Sequence, residues 1–253
     1  MIITVDIGNT DVTVGGFREG AEPDFVRHLP STRGLREERW QEDLEEILAP
    51  FLGEIEGCAM SSVVPELTGP IRRSLERLTE RRVLTVDPEF EDGLVLVGYD
   101  RRRLGNDRVV DAISALSQYG PPLAIFDLGT ATTLSVLDGE GRLIGGMILP
   151  GVRLSMDALS AKAAQLPKLE LEPPESLLGT DTEACMRSGA FYGAAAQVDG
   201  LIDRVEELLG TKVTAVLTGG YGGLILPFCR RAAIYDRYLQ LKGLRRLYDR
   251  EYK

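Results

Sequence analysis

An acidic turn occurs twice in this chain, about half a length apart. Asp6-Ile7-Gly8-Asn9-Thr10 follows the apolar run 1–5, and Asp127-Leu128-Gly129-Thr130-Ala131-Thr132 follows the apolar run 123–126. Each copy has a strand of buried character ending in Asp, a Gly two residues on, hydroxyl or amide residues, and a second strand. Repetition at half the length predicts a duplicated fold rather than a solenoid, whose repeats are far shorter. Two such turns have the chemistry to hold a phosphate chain. Glycine lets the backbone approach closely, threonine and backbone N–H groups donate to phosphate oxygens, and the carboxylates hold the accompanying cation. Phosphoryl transfer is therefore the leading expectation.

At 253 residues the chain is long enough for two modest cores, and the duplicated turn favours two lobes, expected at 1–120 and 121–253. A formal net charge of −10 speaks against nucleic acid as a partner, because no neutralising basic surface exists. The short runs Arg101-Arg102-Arg103 and Arg245-Arg246 sit among acids and read as solvated faces or local anion contacts. Cys58, Cys185 and Cys229 form no CxxC pair and read as buried free thiols of a reducing compartment. The first residues lack the basic start and long apolar stretch of a signal peptide, and no apolar run approaches a membrane span. No membrane partner and a cytoplasmic location are expected. His28 is the only histidine and lies in an alternating segment, so an edge or surface position is expected and acid–base chemistry must rest on carboxylates.

Along the chain, residues 2–6, 11–17 and 24–29 read as strands, with Gly15-Gly16 as a candidate bulge. Amphipathic helices are predicted over 36–51 (Trp40, Leu44, Ile47, Leu48 and Phe51 on one face) and 66–81, with strands over 57–64 and 82–86. The order is βββαβαβ. An irregular stretch, 87–104, leads into a helix that Gly120 ends. The second half repeats the opening cadence with strands over 123–127, 132–137 and 143–149. Helices follow over 154–164, after residues 180–183 to about 197, and over 198–209, and then a strand over 213–217. Thr180-Asp181-Thr182-Glu183 resembles a capping box.

Two further clusters carry chemistry. In Gly105-Asn106-Asp107-Arg108, an Asn106 cap would put Asp107 and Arg108 in the first turn of a helix, where free N–H groups and the dipole favour anions. Arg108 there can grip a carboxylate in bidentate fashion. Asp107 either only balances the dipole or accepts the proton of an attacking hydroxyl. Thr218-Gly219-Gly220 is a glycine turn against which an adenine ring would lie, or a plain strand-to-helix turn. No Gly-x-x-x-x-Gly-Lys-Ser/Thr loop exists, which excludes a P-loop kinase, and the protein-kinase motifs are absent.

Together these motifs resemble the type III pantothenate kinase family, of the superfamily that includes actin, sugar kinases and heat-shock ATPases. Ser61-Ser62-Val63-Val64-Pro65, Gly145-Gly146-Met147-Ile148-Leu149-Pro150-Gly151 and residues 179–182 complete the pattern, which runs nearly end to end. The resemblance implies an α/β protein of two tandem ribonuclease-H-like lobes, a mixed βββαβαβ sheet in each, with the site in an interlobe cleft. It implies phosphorylation of the primary hydroxyl of pantothenate by ATP, the first step toward coenzyme A. Mg²⁺ or another divalent cation, K⁺ or NH₄⁺, and a homodimer come with it. By motif, Asp6, Ile7, Gly8, Asn9, Thr10, Asp11, Val12 and Thr13 form the nucleotide-phosphate loop, with Asp6 near Mg²⁺ through water, and Thr130 contacts ATP. Asp107 is the proton acceptor. Tyr99, Gly105, Asn106, Asp107, Arg108 and Thr182 match substrate positions, with Arg108 on the pantothenate carboxylate, and Asp127 matches the monovalent-cation position. Asn106 departs from the small or aliphatic residue common in that motif. The competing readings are a sugar kinase of the same superfamily, which would leave Arg108 without a carboxylate, and a non-catalytic regulator that keeps the nucleotide fold.

Overall fold

Strand β1 (Ile2–Ile7) is buried along almost its whole length, which is what a strand covered on both faces requires. It pairs antiparallel with β2 (Asp11–Phe17), and β2 with the edge strand β3 (Phe25–Pro30). Helix α1 (Glu37–Leu48) leads to β4 (Gly57–Ser62), and α2 (Pro65–Thr79) leads to β5 (Val83–Val86). Both β4 and β5 run parallel to the strand beside them, giving the sheet order β3-β2-β1-β4-β5. Helix α3 (Asn106–Tyr119) then ends at Gly120, whose φ of +67° closes the turn. This computed structural model describes residues 1–163 and 165–253.

The second sheet repeats the first. Strands β6 (Leu123–Leu128), β7 (Ala131–Leu137) and β8 (Leu143–Pro150) form the antiparallel part. Helices α4 (Val152–Lys162) and α5 (Thr182–Leu209) precede β9 (Thr214–Thr218), the short α6 (Gly222–Ile225) and the two-residue β10 (Ile234–Tyr235). The order β10-β9-β6-β7-β8 is that of the first sheet read from the other end. The duplication reaches single residues: β1 and β6 share one pattern of burial, four buried positions, a half-buried Asp and a buried aliphatic.

The chain divides into two compact units. Unit 1 is Met1–Leu94, Tyr99–Ser117 and Tyr238–Lys253; unit 2 is Val95–Gly98 and Gln118–Arg237. These units differ from the expected cut at residue 120 because the last helix, α7 (Leu239–Tyr252), packs in unit 1. In unit 1, Trp40, Leu44, Ile71 and Leu75 of α1 and α2 cover one face of the sheet beside Ile3 and Val5. Leu244, Leu247 and Tyr248 of α7 cover the other beside Ile2, Ala59 and Val110. In unit 2, Phe191, Val198 and Ile202 of α5 lie against Phe126, Leu134 and Leu217.

Three expectations need correction. Gly15-Gly16 is not a bulge, because β1 and β2 pair without a break. A Cβ at Gly15 would come 2.8 Å from Leu241 of α7, and one at Gly16 would meet the Phe25 ring, so the glycines make room for packing. Residues 182–209 form one helix of 28 residues rather than two, since its alanines favour the helix, its glycines only weaken it, and no proline breaks it. Cys185 is exposed, unlike Cys58, which is buried; Cys229 is half-buried, and all three are free thiols. The helix expected over 154–164 is α4, and Ala164 lies outside the described residues. His28 sits on the edge strand, its ring 3.2 Å from the Thr13 hydroxyl across the pair.

Candidate active site

In unit 1 the first acidic turn is built by pairing. Asp6 lies opposite Thr13 and Ile7 opposite Val12, so the chain must reverse over residues 8–11. The Gly8 N–H donates to the Asp11 carbonyl at 2.9 Å, and the Ser31 hydroxyl and N–H hold the carbonyls of Gly8 (2.6 Å) and Thr10 (2.8 Å). Ile7 and Val12 are fully buried, so they anchor the turn and can meet a ligand only through their backbone. Asn9, Thr10 and Asp11 are exposed at its tip.

The Asp6 carboxylate is held from two directions. The Ser61 hydroxyl at the end of β4 donates to its Oδ1 at 2.9 Å, and the Gln240 amide of α7 donates to the same oxygen at 3.0 Å. Gln240 is separated from Asp6 by 234 residues, and no local pattern in the sequence marks it. Pro65 starts α2 at its first turn, where its missing N–H costs nothing, and that ends the β4 segment carrying Ser61 and Ser62.

Asp107 and Arg108 lie in the first turn of α3, as the motif predicts. Asn106 is not the cap, however. It is the first helical residue, and its side chain reaches outward: Nδ2 donates to the Ser62 carbonyl at 3.3 Å, and Oδ1 accepts from Arg101 at 3.1 Å. Asp107 Oδ1 accepts the Arg108 N–H at 2.8 Å. Burial raises the Asp107 carboxyl above the ordinary aspartate value, opposed in part by that N–H and by the Arg108 charge. Gly105 permits this fold-back, since a Cβ there would collide with Asp107 Oδ1 and lie 3.5 Å from its Cγ. The Arg108 guanidinium stands over the Tyr99 ring, 6.0 Å from its centroid. Unit 1 thus contains Asp6, Tyr99 and all of 105–108.

In unit 2 the second acidic turn is tighter, with the Gly129 N–H donating to the Ala131 carbonyl at 3.0 Å. Thr130 is exposed at its tip and Asp127 is half-buried. Two glycines pack onto this turn. Gly219, at φ +81°, leaves room for the Asp127 carboxylate; a Cβ there would strike Asp127 Oδ1 and come 2.8 Å from the Leu128 backbone. Gly151, before α4, donates its N–H to the Thr130 carbonyl at 3.2 Å, and its own Cβ would strike the carbonyl oxygens of Gly129 and Thr130. The Tyr221 N–H binds the Leu128 carbonyl at 3.0 Å, so the turn after β9 is tied to the turn after β6.

Thr182 begins α5, with Asp181 as the N-cap accepting the Ala184 N–H at 2.9 Å, rather than a box begun by Thr180. It lines a cavity of about 580 Å³ in unit 2, together with Met156, Gly179, Cys185 and Met186. No group of three or more His, Cys, Asp or Glu side chains suited to a metal occurs among the described residues. A divalent ion at Asp6 would therefore take most of its oxygens from phosphate and water, the habit of Mg²⁺. No helix among the described residues is long and apolar enough to cross a membrane.

Two sheets of one strand order, each opening on an acidic turn, define the fold of the actin-like ATPases and sugar kinases. Solved structures bear this out at the level of fold. A conserved putative Baf family transcriptional activator from Campylobacter jejuni aligns with a TM-score of 0.62 at 18% identity, covering 98% of both chains. A ROK family glucokinase from Streptomyces griseus aligns with a TM-score of 0.56 at 15% identity, covering 97% of this chain and 98% of that one. The profile of type III pantothenate kinase matches residues 2–204. Type III pantothenate kinases from Bacillus cytotoxicus and Exiguobacterium sibiricum are 35% and 36% identical, covering 99% of this chain and 96% and 99% of theirs. The chain belongs to the type III pantothenate kinase family.

Proposed function

We propose that the protein transfers the γ-phosphoryl group of ATP to the primary hydroxyl of pantothenate, the first step toward coenzyme A, with Asp107 as general base. The observation that carries this reading is the pairing of a burial-raised carboxyl with an adjacent arginine in one helix turn. Asp107 accepts the hydroxyl proton as the alcohol oxygen bonds to phosphorus and ADP departs. The α3 N-terminus and Arg108 favour the carboxylate end of pantothenate, and Tyr99 and Gly105 flank that position. A neutral sugar offers no carboxylate for the bidentate grip that an arginine can make.

Asp6 and the backbone of residues 7–13 would receive nucleotide phosphate, and Thr130 would meet the same nucleotide. Asp6, oriented by the Ser61 and Gln240 hydrogen bonds, would hold Mg²⁺ through water, and the ion would supply charge neutralisation for the phosphates. K⁺ or NH₄⁺ is assigned to Asp127, the half-buried carboxylate at the head of the second acidic turn. Thr182 is assigned to substrate. A cytoplasmic location and a homodimer complete the reading, with the exposed Leu154, Leu159, Leu177 and Leu178 of unit 2 as apolar side chains available to a subunit contact.

The test is ADP release with pantothenate or a sugar panel as acceptor, with K⁺ exchanged for Na⁺. Turnover on pantothenate that needs K⁺ or NH₄⁺ is expected. Turnover on a sugar alone would overturn the substrate, and full activity in Na⁺ would remove the role given to Asp127.

A further inference from the structure

We propose that Arg101 is a positioning residue for phosphoryl transfer: clamped by Asp92, it sets the Asn106 amide, which ties the first turn of α3 and its Asp107 to the end of β4. The proposal rests on the reading of Asp107 as proton acceptor. In the sequence Arg101 belongs to a basic run that reads as a solvated face or a local anion contact, and its neighbour is the former, since Arg102 is exposed and pairs with an equally exposed Glu89. Arg101 is different. Its side chain is 17% exposed and its Asp92 partner 6%.

One guanidinium knits together three pieces of irregular chain. Arg101 Nε donates to Asp92 Oδ2 at 2.8 Å, Nη2 to the Asp87 carbonyl at 3.2 Å, and Nη1 to the Leu104 carbonyl at 3.4 Å and Asn106 Oδ1 at 3.1 Å. The other end of the clamp is held as well. Asp92 Oδ1 accepts the Leu94 N–H at 2.9 Å, and Arg250 of α7 donates to the carbonyls of Glu91 and Asp92. Lysine could not replace this fork, because one ammonium cannot serve four acceptors spread in a plane.

The guanidinium also decides which way the Asn106 amide points. With Oδ1 toward Arg101, Nδ2 faces the Ser62 carbonyl and donates to it at 3.3 Å. Reversing the amide would set donor against donor and acceptor against acceptor. Ser62 adjoins Ser61, whose hydroxyl holds Asp6. The helix turn that carries the base and the strand end that orients the metal-side carboxylate are therefore joined through a single amide. A turn displaced by roughly 1 Å would cost about 10²-fold in rate.

The test is steady-state kinetics on the full-length protein with ATP, Mg²⁺ and pantothenate. Arg101→Met and Asn106→Ala should each lower kcat by about 10- to 100-fold. The KM for ATP should stay within about two-fold and the acid limb of kcat should move, because the Asp107 surroundings change. The double variant should be no slower than the slower single, the sign of one shared device. Arg101→Lys should not recover the rate, and Arg102→Ala should match wild type. Additive losses, an unchanged kcat, or a slower kcat with the acid limb in place would each overturn the proposal. Should Arg101→Met fail to fold with Asp92 left unpaired, Asp92→Asn/Arg101→Met removes the stranded charge and takes its place. Wild type inert toward pantothenate would instead refute the functional reading. Amide hydrogen exchange over 105–109 then decides the positioning: faster exchange in Asn106→Ala supports it, and unchanged exchange overturns it.

Discussion

Substituting Gly151 by alanine isolates the packing that shapes the second acidic turn. The backbone at Gly151 has φ −66° and ψ 161°, which any residue adopts, so alanine brings no conformational strain. The added methyl is the whole perturbation. It would strike the carbonyl oxygens of Gly129 and Thr130 and lie 2.8 Å from the Thr130 carbonyl carbon, where carbon atoms rest at about 3.5–4.0 Å. Backbone is on both sides, so no flexible side chain can yield, and the 129–130 turn must retreat by roughly 1 Å. Overpacking of this kind costs about 1–3 kcal/mol, which for a chain of this size lowers Tm by about 2–12 °C. Misplacing Thr130 by that distance lowers kcat/KM for ATP by about 10²-fold. Thermal unfolding and ADP release at saturating pantothenate measure the two effects. Gly139→Ala is the control, because nothing lies within 4 Å of a Cβ there. An unchanged Tm would refute the packing argument, and a lowered Tm with wild-type kcat/KM for ATP would refute the role of the turn in nucleotide handling.

Gly105→Ala should separate stability from activity: its methyl meets only the movable Asp107 carboxylate, so Tm should hold while kcat falls, and an unchanged kcat would show that the fold-back conformation does not matter. For Asp107, the raised carboxyl must be ionised to act as base, so kcat should fall with an acid limb above the ordinary aspartate value of 3.8, and Asp107→Asn should lose about 10²–10⁴-fold in kcat while still binding ATP. The native state holds that proton more tightly than the unfolded chain, so stability declines as pH rises from 3.8 through the folded value; Asp107→Asn should lack this decline and exceed wild type in Tm at neutral pH, and a lower Tm there would contradict the burial argument. Glu206 is held down to about 2 by Lys212 and Arg231, so its stabilisation is full above 4.5 and lost as pH falls toward 2; Glu206→Gln should flatten acid unfolding across that window, measured by circular dichroism.

The duplicated acidic turns, the βββαβαβ order and the helix carrying Asp107 and Arg108 were legible in the linear sequence, because each depends on neighbours within a few residues. An apolar run ending in Asp-x-Gly must turn, and alternation and helical spacing mark strands and helices wherever burial has a period. Asn106 shows where local reasoning ends. Its place before Asp107 reads as a cap, yet its amide spans 44 residues to the Ser62 carbonyl because the Arg101 fork turns it that way. The same holds for Gly15 and Gly16, whose lack of a side chain is explained only by Leu241 and Phe25 packed above them.

Composition and order alone thus determined the repeated architecture and the family pattern. Only the tertiary structure decided that α7 returns to unit 1, that Gln240 holds Asp6 from the far end of the chain, and that Arg101 takes the local anion contact, with Asp92, rather than the solvated face. The reason is physical. Periodicity records which face of an element is buried, but the hydrogen-bond partner of a polar side chain depends on which distant segments that burial brings alongside it.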